Sequence, residues 1–354
     1  MALASHTPAT WNDILSTTMH NYRKTLTDNV FNSRPLLNHY MSKGRVKTIS
    51  GGISIVEPVM YAEGQADSYA EWDTLTVTPT PTASAAQFDW KQLYATIAIS
   101  GLEEAQNNGK EMIVNLLEAK IMQAEDTLKT RLNGMLFGTY AGTTPANDFT
   151  PITKIIGNAD TDVVGGITTG TGVNDWWKSH VNSTGGVLTG AGLEDALRAL
   201  YNATSDAGPD VVDAIFTNAY GFSLYESSLT PQVRYTDTSK ANLGFQNLMF
   251  KNVPMMWDFQ CSGGTEGTVS DASASYYGIN SKYVGLKLHS DRNFKQSPFT
   301  DNMTGSLGAP ASGAGIGSAS GNALDARVSF ITTFGNQTTR NRRRLFKLLN
   351  VTAA

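Results

Sequence analysis

Between Lys110 and Phe137 one apolar stripe runs unbroken: Ile113, Leu117, Ile121, Ala124, Leu128, Leu132 and Met135 recur at steps of four or three. That period belongs to one face of an α-helix, because a strand would send alternate residues to opposite sides. Glu111, Asn115, Glu118, Glu125 and Lys129 fall on the other face, with Glu125 and Lys129 spaced as a favourable i,i+4 pair. Just upstream, "SGLE" at 100–103 matches a capping box, in which Ser100 and Glu103 satisfy each other's backbone N–H groups. Gly109 weakens the first turns. At about 1.5 Å per residue the striped stretch is roughly 40 Å long, which suits a beam across a flat subunit.

The sequence around this helix is mostly β-type. Residues 1 to about 45 mix short apolar groups such as "WNDIL" and "RPLLNHYM", with Pro35 interrupting any long helix. They read as an extended arm with one or two helical turns. "GGISIVEPVMY" alternates Ile53, Ile55 and Val59 as a strand does, and Pro58 limits its pairing. "DTLTVTPTPTASAAQFDW" and "LYATIAIS" read as a long hairpin, with Leu75 and Val77 on one limb and Ile97 and Ile99 on the other. A two-stranded ribbon of that kind is marginal in water alone. Downstream, "GLEDALRALYNATSD" is an amphipathic helix, "DAIFTN" a buried strand and "AYGFSLYESSL" a helix. "LMFKNVPMMWD", "YYGINSKYVGLKLH" and the closing "DARVSFITTFGNQTTRNRRRLFKLLN" are strand-like, and residues 301–322 form a flexible Gly/Ser/Ala loop. Helices and strands alternate only in part, so the fold class is α+β.

Composition narrows the function classes. Charged residues make up only 16% of the 354, which leaves neutral surface that contact with other subunits can cover. The net charge of −4 gives no general attraction to a polyanion. A single cysteine, Cys261, excludes an intrachain disulfide and fits a reducing compartment. The N-terminus lacks the basic start and apolar run of a signal peptide. No apolar run approaches the roughly 20 residues that span a bilayer, so no membrane helix is expected.

No catalytic constellation, cofactor motif or metal site is expected. His6, His20, His39, His180 and His289 are dispersed, without metal-ligand spacing. Asp160 and Asp162 begin like a calcium loop, but Val164 stands at the third ligand position and no glutamate follows in register. A surface turn explains them better. "GAGIGSASG" at 313–321 lacks the Lys-Ser/Thr of a P-loop and the third glycine of a dinucleotide fingerprint, so it reads as a linker.

Two features remain. Trp176 and Trp177 could stack bases, yet adjacent tryptophans more often anchor a core or an interface. "RNRRRLFK" at 340–347 could grip nucleic acid or pair with carboxylates of a neighbouring chain. As a strand it would send Arg340, Arg342 and Arg344 one way and Arg343 and Lys347 the other, forming no single basic face. The weight therefore falls on subunit contact, with Arg340, Arg342, Arg343, Arg344, Trp176 and Trp177 as interface residues. On that reading, charge reversal at Arg342 and Arg344 blocks subunit assembly.

The order of elements resembles the major capsid proteins of tailed bacteriophages that share the HK97-type fold. "LTDNVFNSRPLLNHYMSKGRVKTISGGISIVEPVMYAE" is similar to that family's N-terminal arm and the start of its extended loop, and "WDTLTVTPTPTASAAQFDWKQLYATIAISGLE" to the loop's return toward the spine helix. "GGITTGTGVNDWW", the axial strands "LMFKNVPMMWD" and "YYGINSKYVGLKLHSDRNF", and the Asn-Arg-Arg of the closing segment complete the likeness over nearly the full chain. The resemblance implies a peripheral domain with a long spine helix (about 103–138) and a sheet, an axial domain, an extended N-terminal arm and an extended β-hairpin loop. The implied division is arm 1–49, extended loop 50–100, peripheral domain 101–185, mainly axial domain 186–322 and closing strands 323–354. It further implies pentamers and hexamers of an icosahedral head that encloses double-stranded DNA without reading its sequence, assembled in the host bacterial cytoplasm. Portal, scaffolding protein and possible decoration protein are the implied partners. Some family members crosslink through a loop lysine; Lys91, the only lysine between Lys47 and Lys110, lies near the loop's base, so no crosslink is expected. A fused scaffolding domain is not expected: scaffold is either cleaved off before residue 1 or a separate protein. An encapsulin-type compartment with protein cargo, and a nucleic-acid-binding module centred on 340–347, remain as alternatives.

Overall fold

The computed structural model of the chain describes residues 34–75, 81–106, 116–139, 145–170, 172, 174–183, 185–188, 190–205, 210–229, 247–263, 272–301 and 326–353. The expectations for residues 1–33, for Val77 on one limb of the hairpin, for His6, His20 and Ile113, and for the 313–321 glycine run lie outside them.

In chain order the elements begin with helix α1 (Pro35–Ser42) and strands β1 (Val46–Ile49), β2 (Ser54–Met60), β3 (Ala83–Asp89) and β4 (Lys91–Ser100). Helices α2 (Gly101–Gln106), α3 (Leu116–Phe137) and α4 (Ile152–Ile155) follow, then β5 (Val163–Val164), β6 (Ile167–Thr168), β7 (His180–Asn182) and β8 (Gly186–Leu188). Next come α5 (Gly190–Ser205), β9 (Ala214–Thr217), α6 (Ala219–Ser228), β10 (Asn247–Phe250), β11 (Val253–Trp257), β12 (Ala274–Ile279) and β13 (Val284–His289). Strands β14 (Lys295–Gln296), β15 (Thr300–Asp301), β16 (Ala326–Thr339) and β17 (Phe346–Ala353) close the chain.

The described residues form two compact units. The smaller contains 96–106, 116–126, 297–301 and 326–330. Here the capping box forms: the Ser100 amide donates to Glu103, and the Glu103 amide donates to the Ser100 hydroxyl, both at 3.2 Å. Thr300 and Asp301 pair antiparallel with Val328 and Arg327, and the Arg327 guanidinium lies 2.8 Å from the Glu104 carboxylate.

The larger unit holds a seven-stranded sheet in the order β10-β11-β9-β12-β17-β7, with β8 also on β17. Its fully buried β9 and β12 separate it from a surface sheet. Leu193, Leu197 and Leu200 of α5 and Phe222 and Tyr225 of α6 pack with Ile215, Met255, Tyr276, Phe346 and Leu348 in one apolar core. Asn218 starts α6 by accepting the Gly221 amide at 3.0 Å, a cap of the usual kind. Between β10 and β11, Lys251 (φ 47°) and Asn252 (φ 66°) both occupy the left-handed region. That is the two-residue turn whose twist matches a tight hairpin, here closing the Phe250–Val253 pair. Gly278 of β12 pairs with Phe346 of β17, and a Cβ there would strike the Phe346 ring. A second arrangement in this unit pairs β1 parallel with β13, and residues 331–339 of β16 antiparallel with β13 and β14.

Two expectations change. Among the described residues the hairpin is β2 with β3, from Ser54↔Asp89 to Met60↔Ala83, and Ile97 and Ile99 are not one of its limbs. Ile97 and Ile99 belong to β4, which pairs with β16. Alternation reports which face of a strand is buried and leaves its partner open. Pro35 opens the short helix α1 at a position whose N–H would be unpaired anyway, so the segment carries a short helical turn as expected. Finally, Ala124, Leu128, Leu132 and Met135 of the α3 stripe are buried, whereas Leu117 is 43% exposed. The period marks an apolar face but does not say whether the cover comes from the same chain.

Candidate functional site

Strand β16 ends in the basic run. Asn341 accepts the Arg343 amide with its side chain at 3.0 Å and so starts a one-turn 3₁₀ helix over Arg342–Arg344. At three residues per turn the three arginines leave the axis in three directions. The strand alternation expected for 340–347 is therefore corrected, because a side-chain cap competes successfully with the β ladder.

Each basic side chain has its own surroundings. Arg340 donates to Glu57 of β2 at 2.5 Å, and Lys287 of β13 lies 3.3 Å from the same carboxylate. Thr338 donates to the other Glu57 oxygen at 3.1 Å. Burial alone would raise the Glu57 carboxyl; the Arg340 hydrogen bond and the two positive charges outweigh it and hold it below its ordinary value. This ion cluster contributes stability above the ordinary carboxylate pKa and loses it as pH falls. Urea midpoints of Glu57→Gln should accordingly change less than wild type on acidification from neutral pH to about 4.

Arg342 is wholly buried. Its Nε donates to the Ile155 carbonyl at 2.6 Å and one terminal nitrogen to Gly157 at 3.1 Å, with Asp162 at 3.4 Å. Desolvation lowers its pKa, and Asp162 opposes that shift. Arg342 thus ties the closing segment to the end of α4, and the expectation that it faces a neighbouring chain is corrected: no part of it reaches the surface. Arg344 donates to the carbonyls of Thr204 and Ser205 at 2.8 and 2.7 Å. These carbonyls belong to the last turn of α5, where a cation suits the helix dipole. Lys347 donates to the Thr153 carbonyl at 3.2 Å. Arg340 and Arg343 are exposed.

The two tryptophans divide in the same way. Trp177 is fully buried with Ile55, Val59, Ala86, Phe88 and Val164, and its indole N–H donates to the Val164 carbonyl at 3.0 Å. Trp176 is half-buried and stacks on Tyr61, with ring centroids 5.0 Å apart and an interplanar angle of 20°. Trp176, Tyr61, Tyr283, Lys282, Arg340 and Arg343 line one cleft of about 440 Å³. Lys282 pairs with Asp210 at 2.8 Å and Tyr283 donates to the same carboxylate at 2.7 Å, so positive groups rim the cleft with their carboxylates beside them. Stacked rings bordered by guanidinium groups bind carboxylates and planar side chains. Four of the six residues singled out in the sequence line this cleft: Trp176, Trp177, Arg340 and Arg343.

Sequence reasoning missed Glu57 and Asn341. A lone glutamate at an inward position of "SIVEPVM" and an asparagine ahead of three arginines were their signals. Asp160 pairs with Lys178 at 2.6 Å, and Asp162 lies 3.4 Å from Arg342. Among the described residues no cluster of three His, Cys, Asp or Glu side chains could hold a metal, and no helix is long and apolar enough to cross a membrane.

No family model matches the sequence, and no curated protein matches it either. The fold does have solved counterparts. A chain of the Cyanophage A-1(L) capsid asymmetric unit superposes with a TM-score of 0.67 at 15% identity, over 94% of this chain and 97% of that one. The capsid of a native GTA particle gives 0.57 at 10% identity, over 96% of each chain. The capsid of Cyanophage P-SCSP1u gives 0.53 at 10% identity, over 96% and 95%. End-to-end coverage on both sides means that whole chains, not a shared fragment, correspond. The chain therefore carries the α+β, HK97-type fold of tailed-phage capsid proteins.

Proposed function

We propose that this chain is a major capsid protein: a structural subunit that self-assembles into the pentamers and hexamers of an icosahedral phage head around double-stranded DNA. The near-complete, two-sided superposition on capsid chains carries this reading. Surface chemistry supports it. Ile53, Met60, Tyr69, Trp72, Leu75 and Tyr94 are large apolar residues each at least 65% exposed, a density that subunit contact relieves. Trp176, Arg340 and Arg343 of the cleft are the proposed interface residues; Arg342 and Trp177 act from within the fold, and Arg344 on the end of α5. The role is mechanical, without a catalytic centre. Portal, scaffolding protein and possible decoration protein are the proposed partners, and assembly takes place in the host bacterial cytoplasm. The division into arm, extended loop, peripheral and axial domains keeps the limits given above.

Electron microscopy of the chain expressed with its scaffold tests this directly. Closed shells of capsomers are expected; monomers or small oligomers under every assembly condition would sink it. Shells filled with protein cargo would instead indicate a compartment protein. Lys91 lies at the start of β4 and donates to the Ala146 carbonyl at 2.6 Å, at the base of the expected loop and away from its tip. Denaturing gels of mature particles should accordingly show single chains, and a ladder of covalent oligomers would overturn that expectation.

A further inference from the structure

One buried carboxylate joins three elements of the larger unit. Asp258 follows β11 and is 1% exposed. Asn133 of α3, itself fully buried, points its amide nitrogen at both Asp258 oxygens, at 3.1 and 3.0 Å. The Gln260 amide donates to one of those oxygens at 2.9 Å, and the Leu36 amide in the first turn of α1 also donates to the carboxyl. Strand β9 takes part through the Thr217 carbonyl, which accepts the Asp258 amide at 2.9 Å. The charged and titratable groups facing this carboxyl are Arg34, just ahead of α1, and Cys261 on its own turn.

The amide is used from one end only. Asn133 Oδ1 has no hydrogen-bond partner among the described residues, although it is buried. If the carboxyl carries a proton, a turn of the Asn133 amide from its present position, with Nδ2 shared between both oxygens, gives this orphan acceptor a donor. The acid O–H then donates to Oδ1 while Nδ2 donates to the second acid oxygen, a closed two-bond pair.

We propose that Asn133 and Asp258 form a proton-dependent clasp that holds α1 and α3 on the β11 turn, closed when Asp258 is protonated and loosened when it ionises. Burial is the main reason the proton stays: it pushes the carboxyl up to about 6, against the opposing pull of the Gln260 amide, Asn133, Arg34 and Leu36. A carboxyl whose folded pKa lies above its ordinary value holds a proton that the opened state has lost. The clasp is therefore strongest at acid pH and weakens as pH rises from about 4 through about 6. This runs opposite to the Glu57 cluster.

Hydrogen–deuterium exchange of the assembled full chain, corrected for the intrinsic pH dependence of exchange, tests the clasp. Protection in 35–42 and 127–137 should fall by up to about a hundredfold between pH 4 and pH 7, the two-unit displacement of one proton. Asp258→Asn keeps the shape of the protonated acid and should make protection in both segments independent of pH. Asn133→Asp sets a second acid against the first and should lower protection at neutral pH, with recovery on acidification. Wild-type protection that is flat or rises across this range overturns the proposal, whatever the variants do. An Asp258→Asn chain with the wild-type pH profile overturns it too.

Discussion

Replacing Arg342 by alanine is expected to destabilise the larger unit by about 3–5 kcal/mol, the usual cost of removing one partner from a buried charged network. The guanidinium reaches the backbone carbonyls of Ile155 and Gly157 and the Asp162 carboxylate from a site with no exposure. Truncation strands those acceptors where water cannot replace the donor. Lysine should recover little, because one ammonium cannot span the Ile155 and Gly157 carbonyls as a planar fork does. Arg343→Ala, one residue away and exposed, should change stability by less than about 1 kcal/mol. Urea unfolding of the three variants separates these outcomes. An Arg342→Ala chain within 1 kcal/mol of wild type would mean that the guanidinium is not a tie within the fold. The same geometry changes the meaning of charge reversal at this position: Arg342→Glu should fail at folding, before any question of assembly arises.

Trp177→Ala is expected to cost a further about 3–5 kcal/mol, in the range for a fully buried large aromatic. Its neighbours Ile55, Val59, Ala86, Phe88 and Val164 form a small cluster that holds the β2–β3 hairpin, and few other apolar contacts could compensate. Limited proteolysis should then cut within 54–60 and 83–89 in the variant and spare both in wild type. Trp176→Ala provides the contrast. That ring is half-buried and stacks on Tyr61, so its loss should change subunit stability by about 1 kcal/mol, in line with an exposed-side aromatic pair. If the cleft is a subunit contact, assembly yield should nevertheless collapse in Trp176→Ala while the subunit stays folded. Normal shells from Trp176→Ala, or an intact hairpin in Trp177→Ala, would each break the corresponding half of this pair.

Much of the fold was legible because local physics already specifies it. Ser100 and Glu103 form the expected capping box, and the α3 stripe from Ala124 to Met135 is buried as its period requires. "DAIFTN" is a wholly buried strand and "AYGFSLYESSL" a helix capped by Asn218. Each of these depends on residues within a turn or two of one another. The resemblance carried by the element order pointed to the architecture that the superpositions then placed on solved capsid chains.

The candidate site was legible in its members and not in their roles. Trp176, Trp177, Arg340 and Arg343 do line one cleft. The charges of "RNRRRLFK" do not distinguish Arg342 from Arg343, yet one is sealed inside the larger unit and the other faces solvent. What separates them is Asn341, whose side chain turns the strand into a 3₁₀ turn, and the carbonyls around Gly157, some 185 residues away along the chain.

By itself, then, the sequence determined the helix over 116–137 and the one that follows Asn218, the buried strand 214–217 and the Ser100–Glu103 capping box, since all of these follow from spacing along one chain. Only the tertiary structure decided that β2 pairs with β3 and that Arg342 is a tie and not a contact. It alone set Glu57 between Arg340 and Lys287, and Asp258 beside an unpaired Asn133 oxygen. The physical reason is the same throughout. Partner choice and burial depend on which distant residues arrive at the same place, and neither periodicity nor composition carries that information.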